Sequence, residues 1–337
     1  MLRVIGYVDA LAESAENRRH LLLGNGFSIA AHPDFRYNSL FEEAFGAGDE
    51  RLRQIFDALE TTDFEQVLSS LDNAQTVLTP YPDGQAVAAQ IQADRNLIAR
   101  RLIEVITRIH PGSARDLHDR RYESVARFLQ EMRRPNDQNL AGRIYTTNYD
   151  LLLYWATMRN WGQLRTRDGF GDGIDGLVWS EGDQQSVFHL HGALHMFVGP
   201  DGSITKLVWN RPLIDQIGGR IDRDMLPLFV TEGTSAQKLQ RIAESPYLRH
   251  ALSCFGASCD DPDAVLFVFG SALNDAHIAN LIAEGHVQRV YASVTDIERA
   301  RADMAALEAR WRERRRVTGH PEVELILFAA AEAAPWG

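Results

Sequence analysis

The sequence predicts a Rossmann-like α/β fold: a doubly wound, mostly parallel sheet interrupted by a large helical insertion. Three observations predict it. Residues 20–24, His-Leu-Leu-Leu-Gly, read as a short buried strand that ends at a glycine turn. Residues 264–269, Ala-Val-Leu-Phe-Val-Phe, form a continuous apolar run, as expected for a strand covered on both faces. Strand and helix signals then alternate at short intervals, the pattern of parallel strands joined by crossover helices.

Taken in order, the turn Gly24-Asn25-Gly26 opens a helix with Ser28 near its start. From Ser39 to about Met132 the pattern is helical almost throughout. Phe64, Val67, Leu68 and Leu71 follow 3.6-residue spacing, as do Ile98, Leu102, Val105 and Ile106. We take 39–135 as a helical insertion within a single domain spanning 1–337. Arg143 to Thr146 returns to strand, and a helix follows Asn148. Gly169 to Gly176 is rich in glycine and aspartate, a loop by composition. Ser186 to Leu190 reads as strand, and 194–199 with 203–209 flank Pro200-Asp201-Gly202 as a hairpin. A strand at 226–230, helices near 234–243 and 246–257, and the apolar strand come next. A helix from about 275, a strand at 288–293, a charged helix at 296–316 and a strand at 323–328 complete the pattern.

A net charge of −11 disfavours direct binding to nucleic acid, whose phosphates reward an excess of Lys and Arg. Arg310, Arg312, Arg314, Arg315 and Arg316 crowd one segment, read here as the solvated end of a helix. The only cysteines, Cys254 and Cys259, cannot build a four-thiolate zinc site. The first residues lack the basic-then-apolar pattern of a signal peptide. No apolar run approaches the ~20 residues of a membrane span, so no membrane partner and a cytoplasmic location are expected.

Four short segments carry candidate chemistry. Gly24-Asn25-Gly26-Phe27-Ser28 stands where a first strand passes into its helix, and glycine there lets the backbone approach a pyrophosphate. Tyr145-Thr146-Thr147-Asn148-Tyr149-Asp150 lies at a strand's carboxyl end, where ligands bind in open α/β sheets; helix capping by Asn148 or Asp150 is the alternative. Phe188-His189-Leu190-His191-Gly192 ends another strand. If that strand stays regular, His189 and His191 share a face, which suits a metal pair or a single imidazole acting as general base. Gly270 and Ser271 follow the apolar strand and can offer donors to phosphate or ribose, whereas Asn274 or Asp275 reads as an ordinary N-cap.

In this order the segments resemble the sirtuin superfamily. The resemblance rests on Gly24 to Ser28, Pro33-Asp34-Phe35-Arg36, Asn148-Tyr149-Asp150, His191-Gly192 and Gly270-Ser271. It is nearest to bacterial sirtuin-like domains that lack the zinc ribbon, and Phe229 to Ser235 with Gln237-Lys238-Leu239 also looks like that family. The resemblance implies a chain that binds NAD as a substrate, without a metal, and cleaves its nicotinamide–ribosyl bond in bacterial antiphage defence. It implies that Asn148 positions water and ribose, that Asp150 holds the carboxamide, and that His191 accepts a proton. Gly24, Asn25, Gly26, Phe27, Ser28, Thr147, Gly270 and Ser271 would surround the nucleotide, with Asp34, Phe35 and Arg36 in a lid. A homo-oligomer and an operon-encoded partner such as an ATPase are further expectations. The alternatives are a non-catalytic NAD or ADP-ribose module acting as sensor or scaffold, and a protein deacylase.

Overall fold

A computed structural model describes residues 2–45, 49–137, 139–173, 176–182, 184–207, 212–223, 225–230 and 235–337. The strands, in chain order, are β1 (Arg3–Val4), β2 (Arg18–Leu23), β3 (Ile144–Thr146), β4 (Phe170–Gly173), β5 (Gly176–Trp179), β6 (Val187–His189), β7 (Met196–Val198), β8 (Ile204–Lys206), β9 (Ala264–Phe269), β10 (Arg289–Val294) and β11 (Glu324–Ala329). Among the described residues they form a 7-stranded sheet of order β1-β11-β10-β9-β2-β3-β6 and a 4-stranded sheet of order β4-β5-β8-β7. Every pairing in the larger sheet is parallel. The fold is Rossmann-like α/β with a large helical region.

Alternation along the strands divides the core into two layers. Leu21, Leu23, Ile144, Val265, Phe267 and Phe269 point to one face, with helices Phe64–Leu78, Gln85–Ile109 and Asp119–Arg133 packed over it. Leu22, Tyr145, Leu266, Val268, Val290 and Leu327 point to the other, beneath helices Pro246–Cys259, Ala276–Glu284 and Ile297–Thr318. Each fully buried Leu or Phe contributes about 1.5–3 kcal/mol, so neither layer is dispensable. The insertion therefore shares a core with the sheet. Its helices run from Tyr37–Ala44 to Asp119–Arg133, close to the expected 39–135.

Several expectations need correcting. Gly169–Gly176 is not simply a loop: β4 and β5 pair antiparallel there, although 174–175 lie outside the described residues. Pairing of Leu177 with Lys206 of β8 and the packing of Trp179 on Tyr247 override the low strand preference of glycine. No strand forms at 226–230, where a single bridge joins Phe229 to Gly192. The hairpin's second arm is described as Ile204–Lys206, and 208–209 lie outside the described residues. β1 and the helix Tyr7–Glu13 were not expected, being too short for periodicity to register. Among the clustered arginines, Arg315 is fully buried rather than solvated. Its guanidinium donates to the carbonyls of Ile282, Ala283, Val287 and Pro321, satisfying last-turn acceptors of the helix Ala276–Glu284. No described helix is long and apolar enough to cross a membrane.

Candidate functional site

Parallel strands deliver their carboxyl ends to one edge of the sheet, and the crevice opens where strand order reverses. From β2 the chain proceeds to β3 and β6 on one side; from β9 it proceeds to β10 and β11 on the other. The reversal falls between β2 and β9, paired with Leu23 opposite Phe269. Both strands end in the glycine turns singled out above.

The two turns touch. Gly24 N–H donates to Phe269 O at 2.9 Å, and Gly26 N–H donates to Gly270 O at 2.9 Å. A Cβ on Gly26 would stand 2.5 Å from Gly270 Cα, and Gly270 itself has φ +69°. Glycine is required here by backbone packed against backbone, with left-handed geometry on one side. Gly26→Ala is accordingly expected to destabilise the chain by about 1–3 kcal/mol in urea unfolding, since neither backbone can move alone. A loss below about 0.5 kcal/mol would show that the turns are not locked together.

Beside them stands Asn148, just past β3. Its amide donates to Gly24 O at 3.0 Å and to Ser28 Oγ at 2.8 Å. Ser28 Oγ in turn donates to the Asp150 carboxylate, whose other oxygen accepts Leu152 N–H at 2.8 Å. Burial pushes the Asp150 carboxyl above its ordinary value, opposed by those two hydrogen bonds. Asp150 thus supports both the Ser28 turn and the first N–H of the helix Leu152–Arg159, although the N-cap position itself is Leu151, while Asn148 reaches across to the first turn.

His191 enters from the turn after β6. Its carbonyl accepts Val230 N–H at 2.8 Å, and Gly192 follows at φ +82° with Leu228 O only 2.0 Å from where a Cβ would sit. The His191 ring is 2% exposed, and its Nε2 lies 3.0 Å from Nε2 of His277. His277 sits in the first turn of the helix Ala276–Glu284, directly after the Gly270-Ser271 loop. Asp275 precedes it, and its Oδ1 accepts from Lys238 Nζ at 2.5 Å. Burial pushes His191 down to about 3 and His277 down to about 4; the nearby Asp275 opposes both shifts.

The domain of unknown function DUF4917 matches residues 21–336, a span holding all of these groups. The chain belongs to this family. No curated protein matches it.

In this DUF4917 chain the remaining sequence-selected residues fall around the same crevice. Asn25 Nδ2 donates to Phe35 O at 3.1 Å, which ties the Pro33–Phe35 turn to the glycine turn. Phe35 is buried, packed edge-on against His110, whereas Asp34 and Arg36 are exposed. Phe27 is buried against Trp336. Thr147 N–H donates to Leu23 O at 3.0 Å, and Ser271 Oγ accepts Leu273 N–H at 3.2 Å. Residues 231–234 of the sirtuin-like stretch lie outside the described residues.

His189 and His191 do not act as a same-face pair. β6 stops at His189, the chain turns, and the two rings find different partners. His189 packs edge-on against His195 at 5.3 Å between centroids, in a buried group with Lys206 and its ion-pair partner Asp168. The sequence assigns no site role to Lys238 or His277; Asp275 stands at the expected N-cap position, but its side chain turns to Lys238 instead of capping. The available signal was Asp275 and His277 themselves, two positions apart just past the Gly270-Ser271 strand end. His191, Asp275 and His277 each offer a ligand atom within 4.8 Å of the others, so a cation could be held there in principle. Asp275 accepts from the Lys238 ammonium at the same place.

Proposed function

We propose that this DUF4917 chain is an NAD hydrolase that releases nicotinamide and ADP-ribose without a metal. The observation that carries the reading is the convergence of Gly24–Ser28, Asn148, His191 and Gly270–Ser271 at the crevice between β2 and β9. These are the segments on which the sirtuin resemblance rests, gathered where a Rossmann-like sheet takes nucleotides.

Nicotinamide leaves as a neutral molecule, so its departure needs no strong acid. Water attacking the anomeric carbon must lose a proton, and the cation-like ribose must be held. We assign proton uptake to His191 and placement of water and ribose to the side-chain oxygen of Asn148, whose two N–H groups are engaged at Gly24 O and Ser28 Oγ. The paired turns would carry the pyrophosphate, with Ser271 towards the adenosine and Asp34, Phe35 and Arg36 in a cover. Asp150, with both oxygens already engaged, is assigned to holding Ser28 rather than the carboxamide. The near-complete burial of His191 favours a resting state that opens on a signal. A cytoplasmic antiphage effector, oligomeric and released by an operon-encoded partner such as an ATPase, fits that behaviour.

Hydrolysis uses water, whereas deacylation couples nicotinamide release to an acyl-lysine. Purified protein mixed with NAD is expected to yield ADP-ribose and nicotinamide at the same rate with or without acetylated peptide. Product confined to the peptide-containing reaction, as O-acetyl-ADP-ribose, would establish a deacylase instead. Saturable NAD binding with no turnover, even with the neighbouring operon product added, would establish a sensor.

A further inference from the structure

We propose that Lys238, Asp275 and His277 are positioning residues for His191, and that the two imidazoles act as one proton acceptor. The identity of the proton donor rests on the NAD-cleaving reading; the pairing itself rests on geometry alone.

Two neutral imidazoles meet at Nε2 to Nε2, 3.0 Å apart, only if one nitrogen carries hydrogen and the other does not. The rings must therefore hold opposite tautomers, one protonated at Nε2 and the other at Nδ1. One further proton on the pair, the third, is still accommodated, because an imidazolium N–H can donate to the bare Nε2 of the other ring. Two imidazolium rings would place N–H against N–H, so the pair takes up a single positive charge. His277 lies in the first turn of its helix, where the backbone N–H groups disfavour a full cation on that ring alone.

The charge that permits this is already installed. Asp275 occupies the N-cap position, yet its side chain makes no cap hydrogen bond and turns to Lys238. Lys238 is 6% exposed, and a buried ammonium is tolerable only with such a partner. Burial opposes ionisation of Asp275, but the protonated forms of His191 and His277 and the Lys238 ammonium outweigh it and hold the carboxyl below its ordinary value. Among the described residues, the charged and titratable groups facing His191 are Asp275, His277, Lys238 and the Tyr149 phenol ring. A carboxylate beside two neutral rings stabilises the one positive charge the pair acquires.

In the reaction, a water O–H bond breaks as an N–H bond forms on His191. The water oxygen bonds to the anomeric carbon, and the glycosidic electron pair leaves with nicotinamide. NAD and water become ADP-ribose, nicotinamide and one proton, which the paired rings hold until solvent collects it. The same three groups could instead bind a divalent cation, but that would set a dication beside the buried Lys238 ammonium.

The test has two arms on the full chain. In the first, 15N-histidine spectra without NAD are recorded at about pH 7.5 for wild type and His277→Gln. We expect one Nε2–H and one Nδ1–H ring for the pair, and altered His191 nitrogen shifts in the variant, with its melting curve confirming a fold. Unchanged His191 shifts would overturn the pairing. In the second, nicotinamide release is followed against pH for His277→Gln, Asp275→Asn and Lys238→Met. We expect kcat to fall about 10- to 100-fold with KM within about threefold, and the acid limb of the profile to move in Asp275→Asn. An unaltered kcat and profile in all three would overturn the shared-proton role. So would stoichiometric binding of zinc chloride at micromolar concentration that is lost in His277→Gln. A wild type that cleaves no NAD, yet shows the paired tautomers and the shift change, defeats the NAD reading while upholding the pair.

Discussion

Replacing His191 or Asn148 with alanine is expected to lower nicotinamide release from NAD by about 10²- to 10⁴-fold in a chain that remains folded. The two substitutions act differently. On the NAD-cleaving reading, His191→Ala removes the assigned proton acceptor and leaves His277 facing a small void, so kcat should fall while nucleotide binding survives. Asn148→Ala removes two donors that tie β3 to the first glycine turn, at Gly24 O and Ser28 Oγ. That loss loosens the turn as well as the water, so KM rises while kcat falls. Each hydrogen bond is worth about 0.5–1.5 kcal/mol to the fold, a loss that a domain of ordinary stability survives. The measurement is initial-rate nicotinamide release by chromatography, with circular dichroism confirming structure. Activity within about threefold of wild type, under ~0.7 kcal/mol of transition-state stabilisation, would remove the residue from the site.

Acid is expected to unfold this protein between pH 6.5 and 4, before most of its carboxylates are protonated. Burial pushes His20 and His191 down to about 3, His110, His189 and His277 down to about 4, and His195 down as well. A histidine in the unfolded chain takes a proton near pH 6.5, whereas these remain neutral while folded. Below pH 6.5 the unfolded state therefore binds more protons, and stability is lost as pH falls from 6.5 towards 4. By pH 4.5 His20, His110, His189, His191 and His277 each favour unfolding by about 2–3 kcal/mol, and a few together match a typical net stability of about 5–15 kcal/mol. Asp150, with its raised carboxyl, works in the opposite direction but is a single group. Denaturant midpoints measured from pH 7.5 to 4.5 should fall steadily and reach zero before pH 4. A flat midpoint across that range would mean the histidines are hydrated or paired in solution.

The sequence was most legible where one physical pattern dominated. The apolar run at 264–269 is β9 to the residue, because a central parallel strand must be apolar on both faces. The insertion's helices were legible from 3.6-residue stripes that pack on the sheet. Pattern failed where distant pairing decided structure, as in the glycine-rich β4 and β5, held by β8. The candidate site was legible as four strand ends, but not as contacts. Nothing local in Lys238 announces that Asp275 will accept its proton-bearing nitrogen. Nothing local in His191 announces a second imidazole 86 positions away. Alternation placed His189 beside His191 only by assuming a strand that in fact stops between them.

The neighbouring strands β2 and β9 have a consequence for how the molecule comes into being. Leu23 and Phe269 are partners in the sheet yet stand 246 positions apart along the chain. Contacts of such long sequence separation form late and slowly, because the loop entropy must be overcome before pairing rewards it. A nascent chain on the ribosome can build much of its helical insertion long before β9 has left the exit tunnel. Until then the glycine turn of β2 has no opposite wall and His191 has no second ring. The crevice is thus absent until β9 emerges, and on the proposed reading a polypeptide shorter than that would not turn over NAD.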